Sequence, residues 1–235
     1  MFVNYAHRGA SSYYPENTLS SFQAGVSMGA NGIETDVHQT KDGVLVLFHD
    51  DKLDRVTDGQ GPITDYTYEE LLRLTVRNDQ TDRTDKILSL EDFLRAFAPL
   101  DLTFAIELKQ SFIEKETIDL LSRYHMRDKT ILTSFTFDNL ARAKAYAPDW
   151  KVGLLFTLAK TPDPVGLIES ISGEQLCPYA PDLTRELVDQ YHARGYSVRA
   201  WGVKDEMLMK KVIDCGADGM TVNFPDKLHA LIASR

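Results

Sequence analysis

The chain has 235 residues, of which 43% are hydrophobic and 26% charged, the balance of an ordinary globular protein. That length suits one α/β barrel, for which roughly 250 residues is usual. The net charge of −9 excludes a general nucleic-acid binder, because phosphate contacts need a basic face, and it requires an anionic substrate to be drawn in by local positive charge.

Taken in chain order, short apolar runs alternate with helix-patterned segments. Strands are predicted at 2–6, 32–37, 44–48, 103–108, 130–134, 151–156, 175–179, 197–201 and 219–222. Helices are predicted at 18–28, 90–97, 113–124, 139–146, 164–171, 185–193, 206–215 and 226–233. Such alternation implies parallel strands joined by helical crossovers. One joint recurs: Gly29-Ala30-Asn31-Gly32-Ile33 and Gly216-Ala217-Asp218-Gly219-Met220 each offer a glycine for a left-handed helix cap and a second to open the next strand. Near-identical joints at the two ends favour a cyclic repeat of βα units, a TIM (β/α)8 barrel forming one domain over 1–235. Residues 50–88 break the rhythm, with many charged and turn residues, and are expected to form an insertion after the second barrel strand.

Cys177 and Cys215 give no disulfide framework and read as small buried hydrophobes. No apolar run reaches the length of a membrane span, and a strand beginning at Phe2 leaves no room for a signal peptide. A cytoplasmic location with no stable membrane insertion is expected.

The chemistry gathers at strand ends. His7, Glu34, Asp36, His49, Glu107, Lys109 and Trp201 each close an apolar strand on its C-terminal side, where TIM barrels keep their catalytic groups. Glu34 and Asp36 share one face of their strand, with Ile33 and Val37 on the other. Glu107 and Lys109 likewise face inward, with Ile106 and Leu108 outward. Three inward carboxylates repel one another and are driven to protonate, a cost that a hard divalent cation removes. All-oxygen ligation points to Mg²⁺, Ca²⁺ or Mn²⁺ rather than zinc. The alternative is a structural ion pair between Lys109 and one carboxylate. His7 and His49 suit a general acid and base, and Arg8 brings a fork suited to phosphate. Trp201, and Phe135 after Thr133-Ser134, offer flat walls for a glycerol-like moiety. His38 shares the inner face but precedes the turn at 39–43 and is expected in solvent. His125, His192 and His229 are expected on the surface.

These residues resemble the glycerophosphodiester phosphodiesterase family over almost the whole chain. The motifs are His7-Arg8-Gly9-Ala10 with Pro15-Glu16-Asn17-Thr18, the run from Gly32 through Val37 into Thr40-Lys41-Asp42-Gly43, and His49-Asp50 with Leu53-Asp54-Arg55-Val56-Thr57. Glu107-Leu108-Lys109, Ser134-Phe135, Trp201-Gly202-Val203 and the 216–225 tail follow in order. The resemblance implies hydrolysis of glycerophosphodiesters to glycerol 3-phosphate and an alcohol, with Ca²⁺ or Mg²⁺. It implies metal ligation by Glu34, Asp36 and Glu107, acid–base work by His7 and His49, and phosphate binding by Arg8 and Lys109. It further implies that the substrate's own glycerol hydroxyl is the nucleophile, although direct attack by water needs the same residues. The chain departs from the family in two places. Its tail reads Thr221-Val222-Asn223 where many members carry a Thr-Asp pair, and Asn223 is left out of the site on that account. Residues 77–86 are polar where the family is rich in Gly, Trp and Phe. A lysophospholipase D-like or phospholipase C-like phosphodiesterase is the competing reading, and that polar stretch speaks against a lipid substrate. The expected partner is a small-molecule glycerophosphodiester, not nucleic acid, with oligomeric state open.

Overall fold

A computed structural model describes residues 2–78 and 80–235. Its elements in chain order are β1 (Val3–His7), α1 (Leu19–Ser27), β2 (Gly32–Gln39), β3 (Leu45–Leu47), α2 (Tyr68–Arg73), β4 (Val76–Arg77), β5 (Thr84–Asp85), α3 (Leu90–Phe97), β6 (Thr103–Leu108) and α4 (Glu114–Arg123). They continue as β7 (Thr130–Ser134), α5 (Phe137–Tyr146), β8 (Lys151–Phe156), α6 (Pro164–Ser170), β9 (Gln175–Pro178), α7 (Arg185–Ala193), β10 (Ser197–Ala200), α8 (Glu206–Asp214), β11 (Gly219–Val222) and α9 (Pro225–Ala233).

Eight strands close on themselves in the order β1, β2, β6, β7, β8, β9, β10, β11 and back to β1, with every neighbouring pair parallel. This is the TIM barrel that the βα rhythm predicts. Alternation along each strand sorts the core: Ile33, Val37, Ile106 and Leu108 turn outward and are buried against the helices. There Phe22 of α1 meets Phe93 of α3 edge to face, with ring centroids 4.9 Å apart. Burying each such side chain contributes about 1.5–3 kcal/mol. Thr18, Ser89, Thr184 and Asp205 cap α1, α3, α7 and α8 by accepting a backbone N–H, so the loops leading out of the barrel end at fixed points. Gly29 and Gly216 both take left-handed φ, as their repeated joint predicts.

The segment predicted as a strand at 44–48 is not a barrel stave. Its ordered part, β3, runs antiparallel to β2, pairing Val37 with Leu47 and Gln39 with Leu45. Apolar alternation does not distinguish strand direction, and the tight turn at residues 40–43 sends the chain back. The consequence is functional. His49 arrives from the rim inward, one residue past Phe48, whose backbone N–H donates to the Asp36 carbonyl at 3.1 Å. Residues 50–88 do form an insertion, but they are more than polar turns. Leu53, Val56, Ile63, Leu71, Val76 and Ile87 bury a small core of their own with Val46 and Phe48. Helix α2 lies in this segment and begins with a capping box between Thr67 and Glu70.

Candidate active site

Strand register builds the centre. His7 of β1 pairs with Glu34 of β2, and Asp36 pairs with Glu107 of β6. Glu34, Asp36 and Glu107 are all buried, and a carboxylate oxygen from each lies within 4.8 Å of the others. Glu34 Oε2 and Asp36 Oδ1 accept no hydrogen bond among the described residues. Buried carboxylate oxygens normally find a donor, so these two are open to a further ligand.

Two cations border the cluster. Lys109 Nζ donates to Glu107 Oε1 at 2.8 Å and lies 3.6 Å from Asp36 Oδ1. Arg8 Nε lies 3.2 Å from Asp36 Oδ2, and Arg8 Nη1 donates to Glu16 Oε1 at 3.0 Å. The Lys109 ion pair weighed from the sequence is therefore formed, alongside the three-carboxylate cluster rather than in place of it. Arg8 adopts a left-handed φ and is followed by Gly9, where a Cβ would run into Ser21. Only glycine allows that approach, and it fixes the turn that aims Arg8 back at the barrel mouth. Asn17 completes the packing, donating to Asp36 Oδ2 at 2.9 Å and accepting from the Thr35 hydroxyl at 2.8 Å.

The charges divide unequally. Burial would raise Asp36, yet Arg8, Lys109 and His49 together hold it well below the usual carboxylate range. Burial, with Asp36 and Glu107 beside it, pushes Glu34 up to about 8. Glu107 is also raised, by burial and by Asp36. Crowded carboxylates without a cation thus retain protons, the expected response to like charge.

Both imidazoles are held by their inner nitrogen. His7 Nδ1 donates to Asn223 Oδ1 at 2.5 Å, leaving Nε2 on the cavity side, 3.8 Å from Glu34 Oε2. His49 Nδ1 donates to Asp50 Oδ1 at 2.5 Å. Burial lowers both imidazoles, with Arg8 adding to the effect. Arg55 supports Asp50 from behind: its Nε donates to Asp50 Oδ2 at 2.6 Å, and its Nη1 and Nη2 donate to Glu16 at 3.0 and 2.6 Å.

Above the carboxylates opens a cavity of about 450 Å³ whose walls include His7, Arg8, Glu34, His49, Glu107, Phe135 and Trp201. Phe135 meets Trp201 edge to face at 4.9 Å, and the Trp201 indole N–H donates to the Phe156 carbonyl at 3.1 Å. Every residue assigned to the site from the sequence lies in this region, with Asp36 just beneath the cavity and Lys109 in the adjoining groove with His49 and Phe135. Two expectations need correction, and a further site residue comes to light. His38 is buried, not solvated, because β2 continues to Gln39 and keeps it on the inner face, with Nε2 3.4 Å from the His49 carbonyl. Asn223, set aside on its departure from the family tail, is the partner of His7. Arg199 carries no motif in the sequence, although it stands two residues before Trp201 and so on the same face. It is a fully buried guanidinium in the cavity wall, donating to Thr221 Oγ1 at 2.6 Å and Gln175 Oε1 at 3.2 Å.

The glycerophosphoryl diester phosphodiesterase family matches residues 7–227. The chain belongs to that family. Among its relatives, YqiK of Bacillus subtilis is 35% identical over 97% of each chain. A glycerophosphodiester phosphodiesterase of Caldanaerobacter subterraneus subsp. tengcongensis is 31% identical over 97% of this chain and 96% of its own. An Oleispira antarctica phosphodiesterase, solved in complex with the product sn-glycerol-3-phosphate, superposes with a TM-score of 0.87 at 28% identity, covering 97% of this chain and 96% of that one. Membership brings phosphodiester hydrolysis to this barrel, and the buried carboxylates are compatible with a divalent metal site. Among the described residues, no helix is long and apolar enough to cross a membrane.

Proposed function

We propose that this chain hydrolyses glycerophosphodiesters to glycerol 3-phosphate and an alcohol, using a divalent cation and two histidines. The observation that carries this reading is the convergence in one cavity of three buried carboxylates, two of them with free oxygens, and two imidazoles anchored through Nδ1. The donor set is all oxygen and fits Mg²⁺, Ca²⁺ or Mn²⁺, held by Glu34, Asp36 and Glu107. Such an ion supplies positive charge to the phosphate oxygens and lowers the pKa of a hydroxyl ligand.

The protein's own groups do the rest. Arg8 and Lys109 donate to non-bridging phosphate oxygens, charge-assisted contacts that orient phosphorus. With Nδ1 of each ring committed to Asn223 or Asp50, both Nε2 atoms are free to exchange protons with substrate. One imidazole takes the proton of the attacking hydroxyl and the other gives a proton to the departing alcohol oxygen. The phosphodiester's negative charge raises the imidazole that must act as acid, offsetting the effect of burial. The bond from phosphorus to the alcohol oxygen breaks; net, a hydroxyl from water joins phosphorus and a proton joins the alcohol. We favour the substrate's own glycerol hydroxyl as first nucleophile, because intramolecular attack has a large effective concentration. It displaces the alcohol to give a cyclic glycerol phosphate, whose ring water then opens with the two imidazoles exchanging roles. The Phe135 and Trp201 rings support the carbon skeleton of glycerol.

The test is release of glycerol 3-phosphate from a panel of glycerophosphodiesters, with and without chelator. Release that chelator abolishes and Mg²⁺ or Ca²⁺ restores supports the reading. No release from any diester, or full activity in excess chelator, contradicts it.

A further inference from the structure

A second cavity of about 180 Å³ lies beside the one used above. It adjoins the catalytic cavity, sharing His7, Arg8, Gln80 and Asn223 with it as common wall. Neither Phe135 nor Trp201 lines it. Its other walls come from the first loop and from the 50–88 insertion, where Arg77 and Asn78 belong to the polar stretch 77–86.

Among the described residues its charge is one-sided. Three guanidinium groups, of Arg8, Arg55 and Arg77, face one carboxylate, that of Glu16. Glu16 is already engaged by both Arg8 and Arg55. Arg77 is in a different position. Its Nη2 donates to the Thr57 carbonyl at 2.7 Å, which steadies the side chain without neutralising it, and it forms no ion pair within 4 Å among the described residues. The Ser11 hydroxyl oxygen in the same wall is buried with no partner among the described residues. Among the described residues of this wall, Val56 is the one apolar side chain. Guanidinium forks and a hydroxyl suit a phosphate-like anion. A quaternary ammonium needs aromatic faces and is repelled by arginine.

We propose that this annex is a subsite for a second phosphate carried by the departing alcohol, so that the favoured substrates are glycerophosphodiesters with an anionic alcohol. The proposal rests on the phosphodiesterase reading above and names the substrate class of that same site.

A matched pair of substrates tests it: glycerophosphoglycerol, and the same diester bearing a phosphate on its terminal hydroxyl. The wild type should show a kcat/KM about tenfold or more higher on the phosphorylated diester, the gain expected of one hydrogen bond to a charged group. Arg77→Met should bring the pair within about twofold while leaving glycerophosphoglycerol unchanged, and Arg77→Lys should retain part of the preference. Equal kcat/KM for the pair in the wild type overturns the subsite but leaves the phosphodiesterase reading intact. So does a preference that survives Arg77→Met, or a loss in that variant that falls equally on both diesters. No turnover of either diester by the wild type overturns both.

Discussion

Asp50 holds His49 through a 2.5 Å contact to Nδ1, and the same carboxylate is gripped from behind by Arg55 at 2.6 Å. Arg55 extends its other nitrogens to Glu16, which in turn steadies Arg8. One guanidinium from the insertion therefore ties the His49 imidazole, through Asp50, to Arg8, through Glu16.

Asp50→Ala should cut kcat by about 10²-fold by releasing the His49 tautomer, with a smaller change in KM. Arg55→Met should affect both constants, since it loosens His49 and Arg8 together, and Arg55→Lys should restore less than half of the loss because an ammonium has no fork. Steady-state kinetics with a thermal midpoint for each variant decides the matter. If kcat falls only in proportion to folded protein, Arg55 merely holds the insertion in place.

His7→Ala and His49→Ala should each slow turnover by roughly 10²–10⁴-fold, the usual worth of a positioned acid or base. Stability should change little, because both rings are partly open to the cavity and neither belongs to the apolar core. A variant that unfolds early and keeps normal turnover per folded molecule would make that histidine structural.

The parts of this arrangement differ in how well the sequence reveals them. Parity alone places Glu34 with Asp36 and Glu107 with Lys109 inside the barrel, because an eight-stranded closed sheet leaves each side chain only two faces. The same rule points to Arg199, two residues from Trp201, but a lone charge between Val198 and Ala200 carries no motif. The antiparallel course of β3 is invisible to apolar pattern, yet it is what delivers His49. Helix α2 is six residues long, too short for periodicity to register, although Thr67 and Glu70 spell its capping box. Long-range partners such as His7 with Asn223, 216 residues apart, depend on barrel closure, which no local signal encodes.

Metal binding should release protons. Glu34 stands at about 8, so below that pH an entering cation displaces a proton from the carboxylate cluster. Apparent affinity for Mg²⁺ or Ca²⁺ should rise with pH up to about 8 and then level. The sign for stability is the reverse. Between its ordinary value near 4.3 and about 8, Glu34 keeps in the folded state a proton that the unfolded chain has lost, so metal-free stability falls as pH rises through that window. Calorimetric titrations in buffers of differing ionisation heat measure the first effect, and thermal midpoints with and without cation the second. An affinity independent of pH from 6 to 8 would contradict the protonated cluster.

A diester whose glycerol lacks the hydroxyl adjacent to the ester carbon distinguishes the two nucleophiles. Attack by the substrate's own hydroxyl predicts near-total loss of turnover, with the analogue still inhibiting competitively. Attack by water predicts turnover within roughly tenfold of normal, since one lost hydroxyl contact costs on the order of 1 kcal/mol. Brisk hydrolysis of the analogue rules out the cyclic route and leaves the hydrolase assignment standing.

The most direct measurement is glycerol 3-phosphate release by chelator-treated protein before and after Mg²⁺ or Ca²⁺ is added back, run beside Glu34→Gln and Asp36→Asn. Restored wild-type activity, a thermal midpoint that rises with the cation, and folded but inactive variants that show no such rise are the predicted results. Full activity in excess chelator, or a folded Asp36→Asn enzyme as active as the wild type, would contradict a catalytic metal held by Glu34, Asp36 and Glu107.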